Sequence, residues 1–223
     1  MKKIVLIIWI LLLNFSAVAL AATVNRNATV AVMDFGTRPG ATTAEININN
    51  AEHVSCDYII TRLVNRHCFN VMEKEFALNT AKAEGLNVVG LIDPDSAKRI
   101  GELLKAKYLI YGNVTNVSIS DTGTSIIGNI GGGVNVCTVK AHIIARMMDI
   151  DTGNIIMVAK GDGKSKSSFV KVAYGSSLAN VSVIKIGTVK VTQDSVHNAI
   201  QKAAYAAVDD LMFKLFNEPK LKI

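Results

Sequence analysis

At 223 residues, with 50% hydrophobic but only 6% aromatic side chains, the chain suits one domain with an aliphatic core. Its formal charge is +6; Lys2 and Lys3 supply two of those charges, so loss of the N-terminus leaves +4. No basic block is interleaved with aromatics, which argues against a nucleic-acid partner. The three cysteines, an odd number without CxxC or Cys/His spacing, argue against a disulfide framework and a zinc site.

The chain opens on a targeting pattern. Lys2 and Lys3 form a charged start, Ile4 to Leu13 an apolar run, and Ala19-Leu20-Ala21 a small-x-small cleavage site. Residues 1–21 are read as a secretory signal, leaving a mature domain of 22–223 and an exported, periplasmic protein. No cysteine follows the apolar run closely, so no residue there would carry a lipid. Ala28 to Phe35 reads as a strand, and Gly36 to Asn50 as a long polar loop with Asn47, Asn49 and Asn50. Glu52 to Arg66 carries Cys56, Ile59, Ile60, Leu63 and Val64 at helical spacing. Phe69 and Val71 alternate as a short strand, and Glu73 to Glu84 returns to helical composition.

Asp93 to Val117 is the most explicit stretch. Asp93 suits an N-cap and Pro94 the first helical position, where a missing N–H costs nothing. Ala97, Ile100, Gly101 and Leu104 make one apolar face, with Gly101 permitting close approach to a neighbour. Lys105 and Lys107 suit the helix end, and Tyr108 to Tyr111 reads as a buried strand ended by Gly112. The order β-α-β-α-α-β predicts an α/β fold, a mixed sheet with flanking helices.

The second half changes character. Val114 to Asn129 is rich in Ser, Thr, Asn and Gly, and Gly131-Gly132-Gly133 follows. From Val134 to Ile150 the pattern alternates, with Val139, Ala141, Ile143, Ala145 and Met147 on one face and Lys140, His142 and Arg146 on the other. Asp151 to Asn154 signals a tight turn, and Ile155 to Gly161 the returning strand. Residues 162–193 lack a helix period, and Asp194 to Phe216 is an amphipathic helix. Two extended β-hairpin segments are therefore expected near 117–140 and 162–193. Val170, Val172 and Tyr174 share one face of the second and are its candidate membrane-facing residues.

Reactive patterns are sparse. The four histidines lie on four different elements without metal spacing, and no GxGxxG or GxSxG occurs. Gly163-Lys164-Ser165 resembles the end of a Walker motif, but Val158 stands where its first glycine belongs. Asp209-Asp210 reads as a hydrated pair on the last helix. Neither an enzyme nor a cofactor is expected.

Several stretches together resemble one family. They are Val30 to Phe35 (VAVMDF), Val71 to Leu78 (VMEKEFAL), Ser96 to Gly101 leading to Ala106 to Gly112 (AKYLIYG), Met148 to Ile155 (MDIDTGNI), and the alanine-rich last helix. In that order they are similar to the CsgG-like curli secretion channels and their periplasmic relatives. The resemblance implies an anticodon-binding-like periplasmic domain and a homo-oligomer whose pooled hairpins form one outer-membrane barrel. It also implies secreted polypeptide cargo or envelope-protein partners, and a pore-narrowing loop after the first strand, here holding Asn47, Asn49 and Asn50. That loop contains no aromatic residue, and the two β segments hold only Phe169 and Tyr174, where membrane barrels carry aromatic girdles. The alternative is a soluble periplasmic interaction module. N-terminal sequencing of the exported protein should begin at Ala22; a sequence beginning at Met1 would overturn the signal reading.

Overall fold

Thr29–Val32 (β1) is the short strand around which the layers form. Val30 and Val32 enter one core, while Ala31 and Met33 enter another on the opposite face. A strand apolar on both sides needs cover on both sides, and four helices supply it. The computed structural model describes residues 27–38, 50–86, 92–124, 132–172 and 193–217, and at 121–124, 132–136 and 167–172 the backbone alone. The proposed signal at 1–21, along with Asn47, Asn49 and Tyr174, lies outside the described residues.

In chain order the remaining elements are β2 (Gly36–Thr37), α1 (Ala51–Asn65), β3 (Asn70–Val71), α2 (Lys74–Ala83) and α3 (Pro94–Leu104), then β4 (Tyr108–Thr124), β5 (Gly132–Asp149), β6 (Ile155–Val172) and α4 (Gln193–Asn217). The sheet order is β3-β1-β4-β5-β6, with β2 paired to β4 beyond the end of β1. β1 runs parallel to β3 and β4, whereas β4, β5 and β6 are antiparallel. This is the expected α/β fold with a mixed, helix-flanked sheet.

The helices form where their caps and apolar faces predict. Asp93 accepts the Ser96 N–H at 2.9 Å, with Pro94 at the first position of α3. Hydrogen bonds from the Ser96 side chain and backbone hold the Asp93 carboxyl below the usual carboxylate range. Glu73 caps α2 by accepting from Glu75 and Phe76 N–H at 3.0 and 2.7 Å. On α3, Ala97, Ile100, Gly101 and Leu104 are all buried, and a Cβ on Gly101 would collide with Ile150. Lys105 ends α3 in a left-handed conformation, φ 51°. Lys107 has a different task from helix capping: its ammonium lies 2.9 Å from Asp149 and 2.6 Å from Asp151, tying the β5–β6 turn to the start of β4. Burial alone would raise Asp149, yet the Lys107 and Thr152 hydrogen bonds bring it below the usual range.

Gly112 does not end its strand. β4 runs through it, 17 residues from Tyr108 to Thr124, and a Cβ at 112 would meet the Ile144 carbonyl and the Phe35 ring. Glycine there admits Phe35 against the ladder. A bulge between Val114 and Asn116 then changes the alternation, so Val114 and Val117 both face the core shared with α1 and α4. The 117–140 segment is the far end of the β4–β5 hairpin, with Val117 opposite Ala141 and Thr124 opposite Val134. The 162–193 segment starts within β6, pairs with β5 as far as Gly132↔Val172, and continues outside the described residues.

The last helix lies on this three-stranded ribbon through its small residues. Cβ atoms on Gly161 and Gly163 would run into the backbone of α4 at Ala203 and Ala207, and at Ala199 and Ala203. Overpacking in a well-filled core costs about 1–3 kcal/mol when side chains can yield, and more where backbone opposes backbone. Gly163→Ala should therefore lower the unfolding free energy by at least about 3 kcal/mol in urea titration; unchanged stability would mean that α4 is not seated on β6.

Candidate functional site

Three surfaces emerge from this packing. The first is the end of β1. Asp34 is fully buried, with His53 Nδ1 from α1 at 2.8 Å and Lys74 Nζ from α2 at 3.6 Å. Neither carboxylate oxygen receives an aligned hydrogen bond from them, and the Lys74 contact acts through charge. Lys74 also reaches Asp57 at 2.8 Å. Burial pulls the Lys74 ammonium down, but the Asp57 hydrogen bond and its neighbours Cys56 and Asp34 leave it above its ordinary value. Burial pushes the adjacent Cys56 thiol far up, so this cysteine is a packed thiol and a poor nucleophile. The cluster ties both helices to the end of β1. Asn50 begins α1 with φ 65° and offers its carbonyl to Val54. It makes no side-chain cap.

The second surface is the edge of β6, the last strand in the sheet among the described residues. Asp209 and Asp210, expected as a hydrated pair, are both engaged. Asp209 takes paired hydrogen bonds from Arg62, at 3.1 and 2.7 Å, and from Arg66, at 3.1 and 2.6 Å. Asp210 accepts the Lys160 backbone N–H at 2.9 Å and the Lys214 ammonium at 2.7 Å. Burial would raise both carboxyls; the hydrogen bonds, led by Arg62 and by Lys214 respectively, hold them low. Lys214 further donates to the Val158 carbonyl and Lys202 to the Lys164 carbonyl, each at 3.0 Å. Helix α4 thus covers the strand edge at 158, 160 and 164 with side chains. Sequence reasoning missed this because an acidic pair on a helix carries no sign of the strand that will lie beside it.

The third surface is the tip and outer face of the ribbon. From Ala199, which sits over Gly163, back to Gln193 is about 9 Å of helix, matched by about three residues of strand. Helix cover therefore ends near Lys166, while β6 goes on to Val172, about 20 Å farther. In that stretch Val134 is opposite Val170 and Gly132 is opposite Val172. Val134, Val136, Val170 and Val172 thus occupy positions of one alternation on two neighbouring strands. On the same alternation closer to the domain, a groove of about 540 Å³ is lined by Arg38, Asn116, Ser118, Lys140, His142 and Lys164 among others. His142 Nδ1 lies 2.7 Å from Asp162 across the strands.

The loop and ribbon candidates fall on separate elements: Asn50 starts α1, whereas Val170 and Val172 are at the far end of β6. Among the described residues, no cluster of His, Cys, Asp and Glu has the grouping to hold a metal ion. No described helix is long and apolar enough to cross a membrane.

The sequence matches the family of CsgG, the curli production assembly/transport component, over residues 13–222. The chain belongs to the CsgG family. Membership supports an envelope-associated protein. Curated protein sequences give no significant match. Among solved structures, the LpoB C-terminal domain from Salmonella enterica is similar at 19% identity, covering 64% of this chain and 86% of its own, with a TM-score of 0.43. Lipoprotein GNA1162 from Neisseria meningitidis is similar at 15% identity over 63% of this chain and 84% of its own, with a TM-score of 0.43. The PelC dodecamer from Paraburkholderia phytofirmans is similar at 11% identity over 85% and 92%, with a TM-score of 0.35.

The edge cover yields a local test. Asp210→Ala removes the acceptor for the Lys160 N–H and the partner of Lys214. It should cost about 1–2 kcal/mol and speed amide exchange at Lys160 selectively. Unchanged exchange there would show that α4 does not cover this edge.

Proposed function

We propose that this CsgG-family chain is an exported, oligomeric envelope protein of the curli-secretion type. In this reading its β4–β6 ribbon supplies strands to an outer-membrane barrel shared between copies, or to an accessory of such a barrel, and an unfolded polypeptide passes through. The observation that carries the reading is the ribbon running about 20 Å past its helix, with Val134 paired to Val170 and valines at alternate positions on both strands. A membrane strand needs about 9–11 residues of alternating character, and one ribbon cannot close a barrel alone. Copies would have to join edge to edge. The covered edge positions on β6, Val158, Lys160 and Lys164, all precede the projecting part, which fits strand pairing confined to the tip. No bond is made or broken: the mechanism is a ring that excludes the lipid phase from a passing chain. Asn47, Asn49 and Asn50 would lie in its pore-narrowing loop.

A second reading is a soluble periplasmic interaction module. It is favoured by the polar sequence of β4 at Ser118, Ser120, Thr122 and Thr124, on the same sheet as the valines. Substitution at the tip separates the two. Lysine facing lipid at the bilayer midplane costs about 2–4 kcal/mol, whereas lysine facing the lumen is tolerated. Val172→Lys should block membrane insertion, and Ala173→Lys, at the next position in the sequence, should insert and change ion selectivity in planar bilayers. Equal recovery of both variants from the soluble periplasm would remove the pore reading and leave the module.

A further inference from the structure

Among the described residues, the outer face of the ribbon is charged as well as uncovered by any helix. Lys140, Lys160, Lys164 and Lys166 are exposed there, with Arg38 on the neighbouring strand end and Arg146 half-buried. The register sets Lys140 directly opposite Lys164 and Thr138 opposite Lys166. Like charges placed directly across a ladder repel, so this arrangement reduces stability and is not explained by packing. Asp162 is the one carboxylate at the paired positions of this face between Thr138 and Arg146, and His142 takes it at 2.7 Å. The cationic positions run along β5 from Thr138 to Arg146, about 27 Å, which is a surface and not a pocket for one small anion.

Continuity with the tip selects the partner. Val134, Val136, Val170 and Val172 continue the alternation to which Lys140, Lys164 and Lys166 belong. Moving along the ribbon, apolar positions give way to cationic ones within a few residues. A bilayer presents the same order, hydrocarbon and then anionic headgroups, and a basic residue near such a surface gains about 1 kcal/mol. We propose that the face carrying Lys140, Lys164 and Lys166 docks on the anionic phospholipid headgroups of a membrane surface. The proposal rests on the reading that the tip meets a bilayer and names what holds the ribbon at its boundary. An acidic protein partner would find the cations here, but would not account for the adjoining apolar positions.

The test is flotation of the purified full chain with phosphatidylcholine vesicles, with and without phosphatidylglycerol. The protein should float with the mixed vesicles and be released by high salt. The double variant Lys140→Gln/Lys164→Gln should bind the mixed vesicles about 25-fold more weakly. Its thermal unfolding should be unchanged or slightly raised, because the cross-strand repulsion is gone, so a folding defect cannot imitate the result. Equal flotation with both vesicle types, or undiminished binding by the variant, would overturn the proposal. So would release by inorganic phosphate beyond that caused by chloride at equal ionic strength, which marks a free-anion site. A carbonate wash distinguishes this proposal from the barrel. Protein that floats through these lysines but is fully stripped by carbonate supports headgroup docking and counts against insertion alone.

Discussion

The contact on which the molecule depends is the seating of α4 on two glycines of β6. At Gly161 and Gly163 the helix and strand backbones lie so close that no Cβ fits between them, and α4 answers with Ala199, Ala203 and Ala207. Small residues on both sides exchange side-chain volume for proximity, and proximity brings the rest. Once the helix is that near, Asp210, Lys214 and Lys202 reach the strand edge, and Arg62 of α1 reaches Asp209. Arg62 also stacks on Tyr205, 5.1 Å from the ring centre, so α1 and α4 are joined across their exposed rim.

The same seating makes the ribbon one-sided. Val139, Ala141, Ile143, Ala145 and Met147 are enclosed beneath α1 and α4, whereas among the described residues no helix lies over the opposite face near the groove. On the other half of the sheet, α2 and α3 cover Ala31, Met33, Leu109 and Tyr111. Cover on both sides therefore belongs to the parallel half, and cover on one side to the antiparallel half. That division fits the physics of the two pairings, since antiparallel ribbons tolerate one wet face and parallel strands rarely do. The uncovered face carries charge and the projecting end carries valines, which concentrates the functional potential of the fold on the ribbon.

Asp34 marks a second point of tension. A fully buried carboxylate without an aligned hydrogen bond is costly, and here the neighbouring Lys74 ammonium offsets that cost. Its position at the end of β1 lets one charge fix α1 and α2 relative to the central strand. Cys56 beside it is inert because burial disfavours the charged form of its thiol.

The sequence by itself determined the elements whose signals are local. Asp93 and Pro94 fix the start of α3, the alternation from Val139 to Met147 fixes the buried face of β5, and alanines at helical spacing fix the face of α4. Each follows from rules that act within a few residues: capping, period and propensity. Family membership was legible in the same way, as short stretches kept in order. Only the tertiary structure decided the rest. Gly112 looked like a strand end and proved to be room for Phe35, a residue 77 positions earlier in the chain. Asp209 and Asp210 looked hydrated and proved to hold partners more than 45 residues away. The opposition of Lys140 to Lys164, like that of Val134 to Val170, depends on strand register, which no single strand encodes. A glycine or a carboxylate reads alike in sequence whether water or another segment lies beside it, and the neighbour is chosen by the packing of the whole chain.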